Sequence, residues 1–190
     1  MPSAEPADVL EHAATAILDA VDRAPTGAAL VVIDGCSGAG KSSLAQRLVF
    51  RWRDVRGVQL IALDAACPDW DGLADGARMM ADGVMIPHHE RREGRWRRWD
   101  WNEHRWAETH VVTPDLPLIV EGSGALTPAA AAVADVSVWL DSPASSRQER
   151  AFARDGDGYR PYWDRWAAQE REHIARNDPR SLAHLVFEVP

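Results

Sequence analysis

The chain has 190 residues and a net charge of −8, from 21 Lys plus Arg against 29 Asp plus Glu. This length suits one compact domain, residues 1–190, with room for a small insertion. The acidic charge repels polyphosphate and argues against a nucleic-acid polymer as a partner. The most apolar segment, AAAAVADVSVWL, is too short to span a bilayer, so no membrane partner is expected. The two cysteines offer no disulfide framework or metal-ligand spacing, which favours a reducing cytoplasm, and a homo-oligomer stays open.

The first predicted element is a helix near the N-terminus. Its apolar residues recur at helical spacing and fall on one face; they are Val9, Leu10, Ala13, Ile17, Leu18 and Val21. The acidic residues around them are not typical of a signal peptide. We expect this helix to dock against the rest of the domain.

Four apolar, β-branched runs predict strands that are buried on both faces. The runs AALVVID, VQLIALD, PLIVEG and VSVWLD end in Asp34, Asp64, Glu121 and Asp141, and the tail AHLVFEVP adds a candidate fifth strand. Helical stretches separate most of them, which indicates strand–crossover–strand units and a parallel sheet with helices on both faces. The ligand site of such a fold lies at the carboxyl ends of the strands.

The segment 67–113 differs from the rest of the chain. It is rich in Trp, Arg and Gly and shows no clean period. We interpret it as an inserted region that carries substrate contacts.

A glycine-rich turn with the pattern GCSGAGKS follows the first predicted strand and precedes a predicted helix. This pattern is the P-loop: glycines let backbone N–H groups turn around a phosphate, Lys41 reaches the β- and γ-oxygens, and the hydroxyl of Ser42 binds Mg²⁺. It predicts a three-layer P-loop NTPase-type fold with ATP and Mg²⁺ as cofactors. The predicted nucleotide contacts are Gly35, Cys36, Ser37, Gly38, Ala39, Gly40, Lys41, Ser42 and Ser43.

Three rival interpretations of this turn are weaker. A dinucleotide fingerprint requires Gly-x-Gly-x-x-Gly, whereas the glycines here lie at 35, 38 and 40 and a lysine follows. A GTP-binding switch would carry an Asn-Lys-x-Asp motif, and the chain has none. An ABC-type ATPase would need a longer chain, so a small kinase remains.

Phosphoryl transfer depends on positioning and charge neutralisation, which directs attention to the carboxylates that follow the strands. Asp64 is the candidate base for an acceptor hydroxyl, with a cap of a helix or turn as its alternative role. Glu121 has the layout of an acid that reaches Mg²⁺ directly or through water, with an ordinary loop carboxylate as the alternative. Asp141 is predicted to cap the following helix, with Pro143 in its first turn.

Arg147, Arg150 and Arg154 share one face of a predicted helix, and a flexible DGDGY segment follows them. This arrangement predicts a lid, residues 147–160, that brings Arg147 to the nucleotide and Arg150 and Arg154 to the transferring group. A solvated basic face is the alternative.

Several segments together resemble the uridine kinase-like branch of the small P-loop nucleoside and nucleotide kinases. They are IDGCSGAGKSSLAQRL, the strand before Asp64, RRWDWNEHRW, LIVEG and RQERAFARDGDG. The resemblance implies that Asp64 is the base toward a sugar hydroxyl and that the three arginines belong to the lid. It fails just after Asp64, where Ala65, Ala66 and Cys67 replace a polar residue and an aromatic pair.

The resemblance also implies that the tryptophan-rich segment contacts a nucleoside. Trp99, Asp100, Trp101 and His104 match the family's aromatic-Asp-aromatic hairpin with a following His. Tryptophans can stack on a planar ring, and a carboxylate can accept hydrogen bonds from hydroxyls or amines. The alternatives are that Trp99 and Trp101 form part of the core and that His104 is an ordinary surface residue.

The sequence therefore predicts an ATP-dependent kinase whose acceptor is a nucleoside or a ring-bearing alcohol of similar size. One alternative is a regulatory ATP-binding protein that has lost turnover, which Ala65 and Ala66 beside the candidate base would fit. Another is a kinase for a vitamin precursor, a sugar or an antibiotic alcohol.

Overall fold

The computed structural model describes residues 5–24 and 27–190. The helices are α1 (Pro6–Val21), α2 (Lys41–Arg51), α3 (Leu73–Met80), α4 (Ile86–His89), α5 (Pro128–Ala131), α6 (Ala144–Asp155), α7 (Trp163–Asn177) and α8 (Pro179–Leu182). The strands are β1 (Leu30–Asp34), β2 (Gln59–Ala62), β3 (Gly94–Asp100), β4 (Arg105–Val112), β5 (Leu118–Glu121), β6 (Val136–Asp141) and β7 (Leu185–Glu188). Shorter turns are the 3₁₀ segments Leu63–Ala66, Gly156–Gly158 and Arg160–Tyr162 and the π-helical segment Ala81–Met85.

Five parallel strands form the central sheet in the order β2-β5-β1-β6-β7. The predicted parallel sheet is confirmed, and the C-terminal run supplies its fifth strand as β7. Because β1 lies in the middle, the glycine-rich turn that follows it opens at the centre of the sheet's carboxyl edge.

Helices cover both faces of the sheet. In β1, Leu30 and Val32 point into one apolar cluster, while Val31 and Ile33 point into the other. The first cluster includes residues of α3 and α7, and the second includes residues of α1 and α2. Burial of these side chains provides the main drive for folding and explains why the strand runs are apolar at every position. The predicted three-layer architecture is confirmed.

The predicted N-terminal helix is observed as α1, and its apolar face packs on the sheet. Its buried residues are Leu10, Ala13, Ala14, Ile17 and Leu18. Val9 and Val21, at the edges of the predicted face, are half-buried and pack against the same cluster.

The segment 67–113 divides into two parts that the sequence did not distinguish. Its first part, α3, the π-helical turn and α4, contributes the fully buried Met80, Val84 and Met85 to the core. Its second part is an antiparallel hairpin of β3 and β4 that forms a sheet of its own. The part played by this segment in substrate contact stays a prediction.

The predicted second strand is shorter than expected. It ends at Ala62, and Asp64 lies in the 3₁₀ turn that follows. β2 is at the edge of the sheet and pairs only with β5, whose last residue, Glu121, lies opposite Ala62. The strand ends there because its only partner ends. Among the described helices, none is long and apolar enough to span a membrane.

Candidate active site

The glycine-rich turn connects β1 to α2 and forms one wall of a cavity of about 780 Å³. Gly38 and Gly40 have φ angles of 79° and 103°, which residues with a side chain rarely adopt. A Cβ on Gly38 would also overlap the carbonyl oxygen of Arg147. Of the nine predicted nucleotide contacts, those that line the cavity are Ser37, Gly38, Gly40, Lys41, Ser42 and Ser43. Gly35, Cys36 and Ala39 form the loop's backbone without lining the cavity.

Lys41 is held at the N-terminus of α2. It is 8% exposed, and its Nζ donates to the carbonyl oxygen of Cys36 at 3.1 Å and to Oγ of Ser123 at 3.2 Å. Its charge therefore lies beside the helix N-terminus, where backbone N–H groups already favour an anion.

Ser42 and Glu121 form a second pair of polar groups on the wall of the cavity. Oγ of Ser42 donates to Oε1 of Glu121 at 2.9 Å. Burial raises the pKa of Glu121, while Lys41 and Ser42 lower it. A hydroxyl and a carboxylate side by side are the oxygen ligands that Mg²⁺ prefers when phosphates and waters complete its coordination. The described residues contain no cluster of three or more His, Cys, Asp or Glu that could hold a metal ion, so any Mg²⁺ bound here would need such additional ligands.

Asp64 faces the same cavity from the 3₁₀ turn after β2. Its side chain is exposed. Burial raises the pKa of Glu121 and the hydrogen bond to Asp155 raises that of Arg154, and the negative charge of Asp64 adds to both shifts. Its backbone carbonyl accepts a hydrogen bond from Nε1 of Trp101 at 3.1 Å. The structure thus brings Asp64, Glu121 and Lys41 together, and the role of Asp64 as a base stays a prediction.

The three predicted lid arginines do not share one environment. Nη1 of Arg147 donates to the carbonyl oxygen of Ser37 at 3.2 Å, and Nε of Arg150 donates to that of Gly38 at 2.8 Å. Arg154 is paired with its neighbour Asp155 through contacts of 2.8 and 2.6 Å. Arg150 and Arg154 line the cavity, whereas Arg147 does not. Two of the arginines therefore also hold carbonyl groups of the glycine-rich turn.

Of the four residues predicted to bind the acceptor, Trp101 lines the cavity and the other three do not. Trp99 lies across the hairpin from Trp106, with ring centroids 5.1 Å apart. Oδ1 of Asp100 accepts the backbone N–H groups of Asn102 and Glu103, both at 3.0 Å, and so closes the hairpin turn. The alternative that both tryptophans belong to the core holds in part for Trp101, which is half-buried and packs against the apolar cluster that includes α3, although β3 ends at Asp100 and the two do not share a strand.

His104 lies beyond the same turn. Its Nδ1 is 3.3 Å from Oδ2 of Asp69, and the residue has a φ angle of 47°. Its predicted role in holding the acceptor remains a prediction.

Aromatic side chains that the sequence did not single out complete the wall around Asp64. Trp70 stacks on Tyr162, with centroids 4.2 Å apart and planes 5° apart, and lies 4.8 Å from the ring of Trp101. Tyr159 and Trp166 also line the cavity, and burial raises the pKa of Tyr159 to about 12. Tyr159, Tyr162 and Trp166 recur at i, i+3 and i+7, the spacing of one helical face, and this pattern was the available signal in the sequence.

Two of the four acids at the ends of the predicted strands, Asp34 and Asp141, do not line the cavity and contact other parts of the fold instead. Asp34 is 1% exposed, and Oδ2 accepts from the N–H of Leu126 at 2.8 Å and from Nε2 of His173 at 2.9 Å. The sequence predicted that Asp141 caps α6, and this prediction is wrong. Pro143 is the cap residue, and Asp141 accepts from the N–H of Ser142 and pairs with Arg180. Asp141 is the last residue of β6, and Ser142 and the cap residue Pro143 separate it from the first residue of α6, Ala144.

No protein-family model matches the sequence, and no curated protein matches it. Solved structures do match in fold. A protein from Bacillus stearothermophilus described as a "possible uridine kinase" has 18% identity and a TM-score of 0.66, over 95% of this chain and 97% of its own. A protein from Silicibacter sp. TM1040, provisionally described as a fructose transport system kinase, has 20% identity and a TM-score of 0.59, over 93% of this chain and 98% of its own.

These similarities define the class of fold. The chain has the α/β fold of the P-loop NTPases, as predicted, and it resembles uridine kinase-like structures over nearly its whole length. At this level of identity the similarity concerns the fold, and the function has to be argued from the site.

Proposed function

We propose that the protein is a small-molecule kinase that transfers the γ-phosphoryl group of ATP to a hydroxyl group. The observation that carries the proposal is the convergence of Lys41, Ser42, Asp64 and Glu121 on one cavity of about 780 Å³. A phosphate-binding loop alone would fit any NTPase. A second, solvent-accessible carboxylate opposite the loop is what transfer to an alcohol requires.

Each group has a distinct part in this reaction. Lys41 and the loop amides bind the phosphate oxygens, and Asp64 accepts the proton of the acceptor hydroxyl. The acceptor oxygen then bonds to the γ-phosphorus as the bond to the β,γ-bridging oxygen breaks and ADP leaves. A Mg²⁺ ion, held by Ser42 and Glu121 together with water, would neutralise the phosphate charge.

The lid arginines supply the remaining positive charge. Arg150 and Arg154 face the cavity and would steady the transferring group, while Arg147 supports the nucleotide through the loop. Arg154 is paired with Asp155 and must leave that carboxylate to reach a phosphate.

The acceptor that we propose is a nucleoside or another ring-bearing alcohol of similar size. Trp70, Trp101, Tyr159 and Trp166 line the cavity together with Asp64, and aromatic rings bind planar or apolar ring faces well. A vitamin precursor, a sugar or an antibiotic alcohol stays an alternative. A cavity of about 780 Å³ has the size of a small-molecule site, and the two free thiols suit a reducing cytoplasm.

The test is to incubate the protein with Mg²⁺-ATP and a pool of nucleosides, sugars and vitamin alcohols, and to search by mass spectrometry for a product heavier by one phosphoryl group. Lys41→Ala should abolish the product, and Asp64→Asn should lower its rate by a factor of about 10² to 10⁴ while ATP binding persists. Asp75→Asn, an exposed aspartate on α3, is the matched control and should behave as the wild type.

Near-normal transfer by Asp64→Asn would show that the base lies elsewhere. Tight ATP binding without any product would favour a regulatory nucleotide-binding protein, and unchanged turnover of Lys41→Ala would contradict the nucleotide site itself.

A further inference from the structure

A buried carboxylate of α7 lies directly against the phosphate-binding loop. Glu170 is 4% exposed, and its Oε1 accepts a hydrogen bond from the backbone N–H of Ser37 at 2.6 Å. Nη1 of Arg147 is 4.0 Å from Oε2. A negative charge therefore lies next to the loop that we propose to hold a triphosphate.

One hydroxyl group connects this carboxylate to Lys41. Oγ of Ser123 is 2.8 Å from Oε1 of Glu170 and accepts from Nζ of Lys41 at 3.2 Å. A serine has a single hydroxyl hydrogen, and the carbonyl oxygen of Gly35, at 3.1 Å, is its other available acceptor. The charged acceptor at the shorter distance is favoured. The hydrogen bonds therefore run from Lys41 through Ser123 to Glu170.

Stability and nucleotide affinity do not account for this side chain. Burying a carboxylate is costly, and an interior ion pair seldom contributes more than an apolar replacement of the same size. A negative charge beside the loop also opposes the binding of a polyanion. What the carboxylate does achieve is to fix two groups of the phosphate site, an N–H of the loop and the ammonium of Lys41.

We infer that Glu170 is a positioning residue that fixes the Ser37 amide and, through the Ser123 hydroxyl, sets the position of Lys41 for phosphoryl transfer. The inference rests on the proposed function. Charge on the phosphate oxygens is redistributed in the transition state, so a misplaced ammonium lowers kcat more than it lowers ATP affinity.

The test compares Glu170→Gln, Ser123→Ala and the double variant. Glutamine keeps a side-chain oxygen in the same place but removes the charge, so both hydrogen bonds that this oxygen accepts, from Ser37 and from Ser123, become weaker. Each single variant should lower kcat about tenfold, and the dissociation constant of ATP should change by less than about threefold, because lost positioning and relieved repulsion act in opposite directions. The double variant should be no slower than the slower single variant, because Ser123→Ala removes the connection between Lys41 and residue 170 that Glu170→Gln only weakens.

Glu172→Gln is the matched control. Glu172 lies on the same helix, but its side chain is exposed and pairs with Arg176. The kcat of Glu172→Gln should therefore equal that of the wild type. If the two kcat losses multiply in the double variant, or if Glu170→Gln stays within threefold of the wild type, the inference is wrong. If thermal unfolding shows that Glu170→Gln does not fold, Ser123→Ala alone tests the inference. A kcat of Ser123→Ala within threefold of the wild type would then contradict it.

A second readout needs no nucleotide. Burial raises the pKa of the Cys36 thiol to about 12, and the charge of Glu170 also raises it. Glu170→Gln should therefore speed alkylation of Cys36 by iodoacetamide at about pH 9 by threefold or more, since the thiolate is the reacting form. Peptide mass spectrometry separates Cys36 from the buried Cys67. An unchanged rate would overturn the placement of the charge, whereas a wild type without transfer activity would contradict only the proposed kinase function.

Discussion

At the scale of single residues, Cys36 shows how the surroundings of a side chain set its chemistry. It lies inside the phosphate-binding loop, yet burial raises its pKa from about 9 to about 12, with the charge of Glu170 acting in the same direction and those of Arg147 and Lys41 opposing it. The thiol is therefore neutral at physiological pH and is a poor nucleophile.

This shift predicts how stability depends on pH. The folded state keeps the proton of Cys36 above pH 9, where the unfolded chain releases it, so the contribution is complete below about pH 9 and is lost as pH rises toward 12. Between about pH 8 and pH 10.5 the free energy of unfolding of the wild type should fall by on the order of 1 kcal/mol more than that of Cys36→Ala. Urea unfolding at both pH values measures the difference, and equal losses in the two proteins would contradict the shift.

At the scale of elements, aromatic rings in contact join three segments around the cavity. Trp70 precedes α3, Tyr162 ends the 3₁₀ turn before α7, and Trp101 follows β3. The hydrogen bond from Trp101 to the carbonyl oxygen of Asp64 connects the same group to the candidate base. This wall of the cavity is therefore assembled from segments that come together only in the folded chain.

Removing the central ring should affect the acceptor more than the nucleotide. Trp70→Ala removes stacking contacts that are each worth about 0.5–1.5 kcal/mol, and the KM for the acceptor should rise about tenfold. The KM for ATP should stay within about twofold of the wild type, because the aromatic and hydrogen-bonding partners of Trp70 lie outside the glycine-rich loop. Trp70→Phe retains a stacking ring, and its KM for the acceptor should lie between those of the wild type and Trp70→Ala. A rise in the ATP KM as large as that for the acceptor would contradict this assignment.

At the scale of the whole molecule, a buried network connects the sheet to α7. Asp34 ends β1 and accepts hydrogen bonds from the N–H groups of Gly35 and Gly124, at 2.6 and 2.9 Å, as well as those of Leu126 and His173. It thereby holds the first residue of the phosphate-binding loop, the loop after β5 and α7 in one arrangement.

This network predicts a large difference between two acids at strand ends. Asp34→Ala leaves several buried donors without a partner and should lower the free energy of unfolding by about 3–5 kcal/mol. Asp141→Ala, at the exposed end of β6, should cost less than about 1 kcal/mol. Denaturant unfolding of both variants tests this, and similar costs for the two would show that the buried network contributes little.

The local parts of the structure could be predicted from the sequence. The phosphate-binding loop is eight consecutive residues whose glycines and lysine have fixed geometric uses, and the strands are continuous apolar runs. The helical segment 73–89 was not predicted, because Gly76 and Gly83 lower its helical propensity. Its apolar residues also do not fall clearly on one face of a helix. The end of β2 was placed two residues too late, because it depends on where β5 ends.

The sequence by itself determined the glycine-rich loop, the five apolar runs that form the central sheet and the acids that end or follow four of these runs, because these depend on neighbouring residues. The tertiary structure decided which acid serves which purpose: Asp34 meets N–H groups and becomes part of the scaffold, whereas Asp64 and Glu121 face a cavity. It also brought Glu170 to Ser37, 133 residues away in the chain. Contacts of that kind depend on how the helices pack across the sheet, and no local pattern of residues encodes them.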